Sequence, residues 1–148
     1  MALDAESFEL LLATVQRFVR ERLVPAENHL EEHDEVPADI VKDMKDMGLF
    51  GLTVPEEYGG IGLSVSQEVQ VNYELGRTAP AFRSVFGTNI GIGSQGILMD
   101  GTPEQKALYL PQVASGELVM SFALTEPDAG TDAAALKTRA ELDGEHYV

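Results

Sequence analysis

Hydrophobic spacing changes once along this chain, near Leu118, and that change limits what the chain can fold into. Before it, apolar residues return every three or four positions; after it they run together or alternate. The first period buries one face of a helix and the second one face of a strand, so a helical part must hand over to the start of a β part. The handover leads at once into residues 121–132, Ser-Phe-Ala-Leu-Thr-Glu-Pro-Asp-Ala-Gly-Thr-Asp. An apolar run that stops at a loop of hydroxyl, Pro and Gly residues can offer backbone N–H groups and small side chains to a polar heterocycle or a pyrophosphate. An ordinary strand-to-turn connection is written with the same residues.

The helical part divides at its breakers. Phe8, Leu11, Leu12, Val15, Phe18 and Val19 share one face of a first helix, with Asp4 as N-cap. Pro25 removes an N–H and crowds the preceding turn, so this helix is expected to stop or kink there. A second helix is predicted from Pro37, burying Ile40, Val41, Met44 and Met47 and ending at Gly48. The stretch 54–60, Val-Pro-Glu-Glu-Tyr-Gly-Gly, reads as irregular. Ser64 and Gln67 have capping-box spacing and open a third helix to about Arg77. A single segment from Ala81 to Met99 follows Pro80; its small residues (Gly87, Gly91, Gly93, Ser94, Gly96) permit close approach of a backbone or a ligand, with close helix packing as the plain alternative. Thr102 and Gln105 form a second capping box, with Pro103 at the first helical position and an end before Gly116. Residues 119–124 then read as a strand, residues 136–142 as an alternating strand, and Asp143-Gly144 as a hairpin turn. The returning strand begins at Glu145 and stops at Val148, so the β part is expected to be incomplete. The expected organisation is a helical domain over residues 1–117 and the start of a middle β domain over 118–148.

Composition excludes several functions. Of 148 residues, 25 are acidic and 10 basic, a net charge of −15 that repels nucleic acid and anionic membrane surfaces. No apolar run approaches the roughly 20 residues needed to span a bilayer. Cysteine is absent, which removes disulfides, thiolate metal sites and Cys nucleophiles and fits a reducing compartment. The acidic start lacks the basic-then-apolar order of a secretory signal, and a cytoplasmic location is expected. His29-Leu30-Glu31-Glu32-His33 matches the H-x-x-E-H pattern of inverted zinc proteases, but no third ligand is identifiable and the expectation is no metal site. His146 reads as a strand-surface residue.

Four stretches in order carry a resemblance. Residues 55–60 (Pro-Glu-Glu-Tyr-Gly-Gly), 101–106 (Gly-Thr-Pro-Glu-Gln-Lys), 109–111 with 115–117 (Tyr-Leu-Pro, Ser-Gly-Glu) and 125–132 (Thr-Glu-Pro-Asp-Ala-Gly-Thr-Asp) together resemble the N-terminal portion of the acyl-CoA dehydrogenase family. That resemblance implies a mainly α fold: an N-terminal helical bundle leading into the first strands of a β-barrel-like middle domain. It implies FAD as cofactor and oxidation of an acyl-CoA thioester at its α,β carbons, with hydride passing to the flavin. By the same resemblance Phe122, Ala123, Leu124 and Thr125 would line the flavin ring, Thr125 offering hydroxyl or N–H to the pyrimidine edge. Ala129, Gly130 and Thr131 would approach the phosphates, Thr131 also facing the CoA arm of the substrate. The residues at 91–96 would form part of the acyl pocket wall. No catalytic residue is assigned, because the family's base is expected beyond Val148. Also implied are an electron-transfer flavoprotein as acceptor and homo-oligomerisation. The alternatives are a flavin oxidase or monooxygenase on the same fold, and a non-catalytic interaction module.

Overall fold

The computed structural model describes residues 3–148, and helices dominate it. Helix α1 (Ala5–Phe18) starts where Asp4 accepts the Ser7 N–H at 3.0 Å, and it buries Phe8, Val15 and Phe18. Pro25 then acts as expected, with an added detail. Its ring cannot sit over an α-turn, and the chain ahead of it widens to a π-turn over Val19–Leu23, in which the Val24 N–H reaches back to the Val19 carbonyl. A 3-10 turn (Val24–Ala26) holds the proline itself, and α2 (Glu27–His33) resumes behind it as an exposed, acidic piece.

Helix α3 (Ala38–Asp46) buries Ile40 and Met44, while Val41 and Met47 are only partly covered. Pro37 lies just outside it as the N-cap, its carbonyl accepting from Ile40 and Val41. Gly48, at φ +72°, turns the chain into a buried 3-10 turn (Leu49–Gly51). Residues 51–63 form a folded-back loop whose backbone bonds to itself: Ile61 N–H to Gly51, Gly62 to Val54 and Leu63 to Leu52. That return requires glycine at position 60, where a Cβ would lie 2.0 Å from the Val54 carbonyl oxygen.

The two capping boxes form as read. Helix α4 (Val65–Leu75) opens on Ser64 and Gln67, and α7 (Pro103–Ser115) on Thr102 and Gln105. The segment expected to be single is two helices, α5 (Pro80–Ile90) and α6 (Ile92–Asp100), divided at Gly91. Alpha1 packs on α4, α5 on α6 and α6 on α7. The core is made by Leu23, Met44, Leu49, Phe50, Leu75, Phe82, Phe86 and Ile90, each at most 1% exposed. Each such burial contributes roughly 1.5–3 kcal/mol as an upper estimate.

The β part is smaller than the pattern suggests. Residues 119–124 form no strand, and of 136–142 only the last two pair across the hairpin, Glu141 by exchanging backbone hydrogen bonds with Val148 (3.0 and 2.9 Å) and Leu142 opposite Tyr147. The observed sheet is a hairpin of β1 (Leu142–Asp143) and β2 (His146–Tyr147), with Leu142 opposite Tyr147 and Asp143 opposite His146 around Gly144 at φ +65°. An apolar run becomes a strand only when a neighbour takes its N–H and C=O groups. Among the described residues none does so for 121–125.

Candidate functional site

The stretch that follows α7 is positioned by one side chain. Asn89, in α5 and fully buried, donates from Nδ2 to the carbonyls of Val113 (3.0 Å) and Leu118 (2.9 Å). Its Oδ1 accepts the Met120 N–H at 2.9 Å. Three backbone groups that leave the helical pattern at the end of α7 are thus satisfied from inside the core. Gly93 of α6 lets Met120 come close: a Cβ there would be 2.4 Å from that of Met120. Gly116, at φ +73°, makes the preceding turn against the Phe50 ring. Residues 118–120 are therefore fixed to the bundle, and 121–125 emerge from a rigid base.

The Thr125–Thr138 loop has its own anchor. Glu126 and Ala129 exchange backbone hydrogen bonds (2.9 and 3.2 Å) around Pro127-Asp128. The Glu126 carboxylate accepts from Lys137 N–H (2.9 Å), Thr138 N–H (2.8 Å) and the Thr138 hydroxyl. The Thr138 hydroxyl first, then the two backbone N–H groups, hold this carboxyl below the ordinary glutamate range. Lys137 reaches Asp128 at 3.2 Å. The acid of a Thr-Glu-Pro sequence thus staples the loop to itself.

The residues singled out from the sequence fall on one exposed strip. Phe122, Ala123, Leu124, Thr125, Gly130 and Thr131 are exposed, and Ala129 is buried beneath them. The two halves of the set meet: a Cβ on Gly130 would stand 3.9 Å from the Thr125 methyl. Among the described residues, the N–H groups of Phe122, Ala123, Leu124, Thr125, Gly130 and Thr131 donate to no protein acceptor. Free amides beside small side chains suit an acceptor-rich ring edge and a diphosphate, so the donor set fits FAD. Of the small residues at 91–96, Gly93 and Ser94 are buried, the Ser94 hydroxyl without a partner among the described residues, and Gly96 faces open space.

Elsewhere, the His29 and His33 rings stack at 4.2 Å between centroids, and His33 Nδ1 lies 3.1 Å from the His29 carbonyl. Among the described residues no cluster of three or more His, Asp or Glu side chains is arranged to hold a metal ion. His146 is exposed on β2. No described helix is long and apolar enough to cross a membrane. Asn89 and Glu126 were not legible as site residues. A lone Asn in a run of small residues carries no local signature, and the partners of Glu126 lie 11 and 12 positions away.

With this geometry in hand, the comparisons are specific. The sequence model of the family described as "Acyl-CoA dehydrogenase, N-terminal domain" matches residues 5–117. This chain belongs to the acyl-CoA dehydrogenase family. It is 42% identical over 144 residues to the (2S)-methylsuccinyl-CoA dehydrogenase of Cereibacter sphaeroides, covering 97% of this chain and 26% of that protein. It is similar to the acyl-CoA dehydrogenase of Bacillus anthracis solved with FAD: TM-score 0.81, 37% identity, 98% of this chain and 25% of that one. It also resembles a glutaryl-coenzyme A dehydrogenase solved with glutaryl-CoA: TM-score 0.85, 31% identity, 99% of this chain and 38% of that one. The chain thus spans between a quarter and two-fifths of the length of these relatives.

Proposed function

We propose that this chain is the flavin-facing N-terminal portion of an FAD-dependent enzyme that oxidises an acyl-CoA thioester. The observation that carries the proposal is the strip of open amides at 122–125 and 130–131, held to the helical core by Asn89 and to itself by Glu126. Bound there, FAD supplies the acceptor for the hydride that leaves the acyl β carbon. Thr125 presents its N–H and hydroxyl to the pyrimidine edge, where fixed donors stabilise negative charge and need no rearrangement. Phe122, Ala123 and Leu124 cover the ring and exclude water from its surface. Gly130 and Thr131, on the buried footing of Ala129, give their amides to the diphosphate, and Thr131 turns toward the CoA arm. A net charge of −15 means that these local donors, not the overall field, must hold the anion.

The base that removes the α proton has no candidate in this strip and is assigned to the part of the relatives' length without a counterpart here. Homo-oligomerisation, an electron-transfer flavoprotein as acceptor and a cytoplasmic setting complete the reading. The experiment is reconstitution. A polypeptide carrying these residues together with the remaining family domains is incubated with excess FAD and dialysed. Retention of a stoichiometric yellow chromophore, bleached without oxygen by an acyl-CoA, is expected. A folded protein that emerges colourless would remove the proposal.

A further inference from the structure

The step Asp-Gly occurs twice in this chain, at Asp100-Gly101 and at Asp143-Gly144. Such a step is open to self-attack, because glycine carries no Cβ to shield its nitrogen from the preceding carboxyl. Both aspartates are exposed, so the two sites differ in the amide and not in the acid. Asp100 closes α6, and the Gly101 N–H is bonded to the Ile97 carbonyl at 2.9 Å. A Cβ at Gly101 would lie 2.5 Å from that carbonyl oxygen. The next residue, Thr102, is already fixed as the cap of α7 through Gln105. Gly101 is thus held between two helix ends.

Asp143-Gly144 has none of these restraints. Among the described residues the Gly144 N–H donates to no backbone acceptor, and a Cβ built there would meet nothing within 4 Å. Among the described residues no ion pair engages the Asp143 carboxylate. Gly144 turns at φ +65° between two short exposed arms, with Asp143 facing His146. A hairpin of that size, with no side chain buried, opens at little cost. Opening frees the Asp143 backbone to rotate until its carboxyl carbon faces the Gly144 nitrogen. The same rotation at Asp100 would break the Gly101 hydrogen bond and unwind the last turn of α6.

We propose that Asp143 is a self-modification site that converts to isoaspartate in the folded chain, while Asp100 is protected. The Gly144 nitrogen attacks Cγ of Asp143 and a C–N bond forms. One carboxyl oxygen leaves as water, taking the amide proton and a proton from solvent, and a five-membered succinimide closes. Water then adds to one of the two ring carbonyls. Opening at one restores aspartate. Opening at the other runs the chain through the side chain and frees the former main-chain carboxyl, with no net change in mass. The extra backbone carbon ends the register of Asp143 with His146. The freed carboxylate is the group that an S-adenosylmethionine-dependent carboxyl methyltransferase esterifies, its oxygen taking the methyl from the sulfonium. An enzyme of that class is therefore the partner that the modified hairpin would recruit.

The test ages the 148-residue chain for weeks at physiological temperature and neutral pH, folded in buffer and unfolded in urea. Isoaspartate is then located by peptide mass spectrometry and counted with an isoaspartyl methyltransferase and labelled S-adenosylmethionine. In the folded chain, isoaspartate at 143 is expected to exceed that at 100 by about tenfold or more, since only Gly101 must first give up a hydrogen bond and a helical turn. In urea both restraints vanish, and the ratio is expected to fall toward parity. Asp143→Glu, an exposed change that keeps the charge and makes the ring one atom larger, is expected to remove the methyl incorporation of the folded chain. Equal modification of the two sites in the folded chain, or a ratio unmoved by urea, overturns the inference. So does methyl incorporation that survives Asp143→Glu.

Discussion

Asn89 bonds three backbone groups from a position with no solvent; its removal would leave the Leu118 carbonyl and the Met120 N–H bare, while the Val113 carbonyl keeps the Gly116 N–H. An unsatisfied buried donor or acceptor costs about 1–3 kcal/mol, reduced where the chain relaxes toward water. Asn89→Leu keeps a similar volume and loses every bond, so a loss of about 2–4 kcal/mol in urea unfolding is expected, with faster amide exchange at Met120. A loss under about 0.5 kcal/mol, the level of a neutral surface change, would show that Asn89 does not hold the segment. Glu126 makes a prediction in pH. Its pKa is lowered in the folded loop, so the unfolded loop binds the proton more readily, and the staple contributes fully above the ordinary glutamate range. It is lost as pH falls through the lowered pKa. Exchange protection at Lys137 and Thr138 should therefore be flat near neutrality and fall on acidification below the ordinary range, and Glu126→Gln should show no such fall. A pH-independent profile in the wild type would refute the staple.

Helix ends were the most legible features because caps are local. Ser64 with Gln67 and Thr102 with Gln105 need no information from elsewhere in the chain, and both boxes form. Thr102→Ala should cost about 1 kcal/mol and Thr102→Ser nearly nothing, measured by thermal or urea unfolding. Gly116 should be harder to replace than any cap. At φ +73° and with the Phe50 ring 2.8 Å from a built Cβ, Gly116→Ala meets strain and overlap together and should exceed the Thr102→Ala cost. What stayed illegible is what depends on neighbours. The break at Gly91 is not marked by proline, and glycines recur along the whole 81–99 segment, so none of them stood out as a boundary. The π-turn before Pro25 is the bundle's answer to a proline whose flanking helix still has Val19 and Leu23 to bury. The strand expected at 119–124 had the right residues and no partner strand.

The same contrast divides the molecule as a body. The fully buried large side chains, from Val15 to Leu110, all lie before Leu118, and beyond that point Ala129 is the buried apolar residue. The hairpin pairs three residues on each arm, and its side chains are exposed. Local opening free energy follows buried apolar contact and protected backbone bonds, so it should be high in α1, α4, α5 and α7 and low after Met120. The site's candidate residues sit where these regimes meet: 118–120 tied to the core by Asn89, 121–125 open to solvent, 126–138 tied only to each other. Native-state hydrogen exchange on the 148-residue chain should resolve that order. The slowest amides should be in α5, intermediate protection should appear at Met120 and at the Glu126 staple, and the fastest exchange should be at 121–125 and around Gly144. Addition of FAD to a polypeptide with the remaining family domains should slow 122–125 and 130–131 selectively, because those amides acquire acceptors. If exchange after Thr131 were slower than in α1, the division of stability argued from burial would be wrong. If FAD bound and left 122–125 unprotected, the strip would not be its cradle.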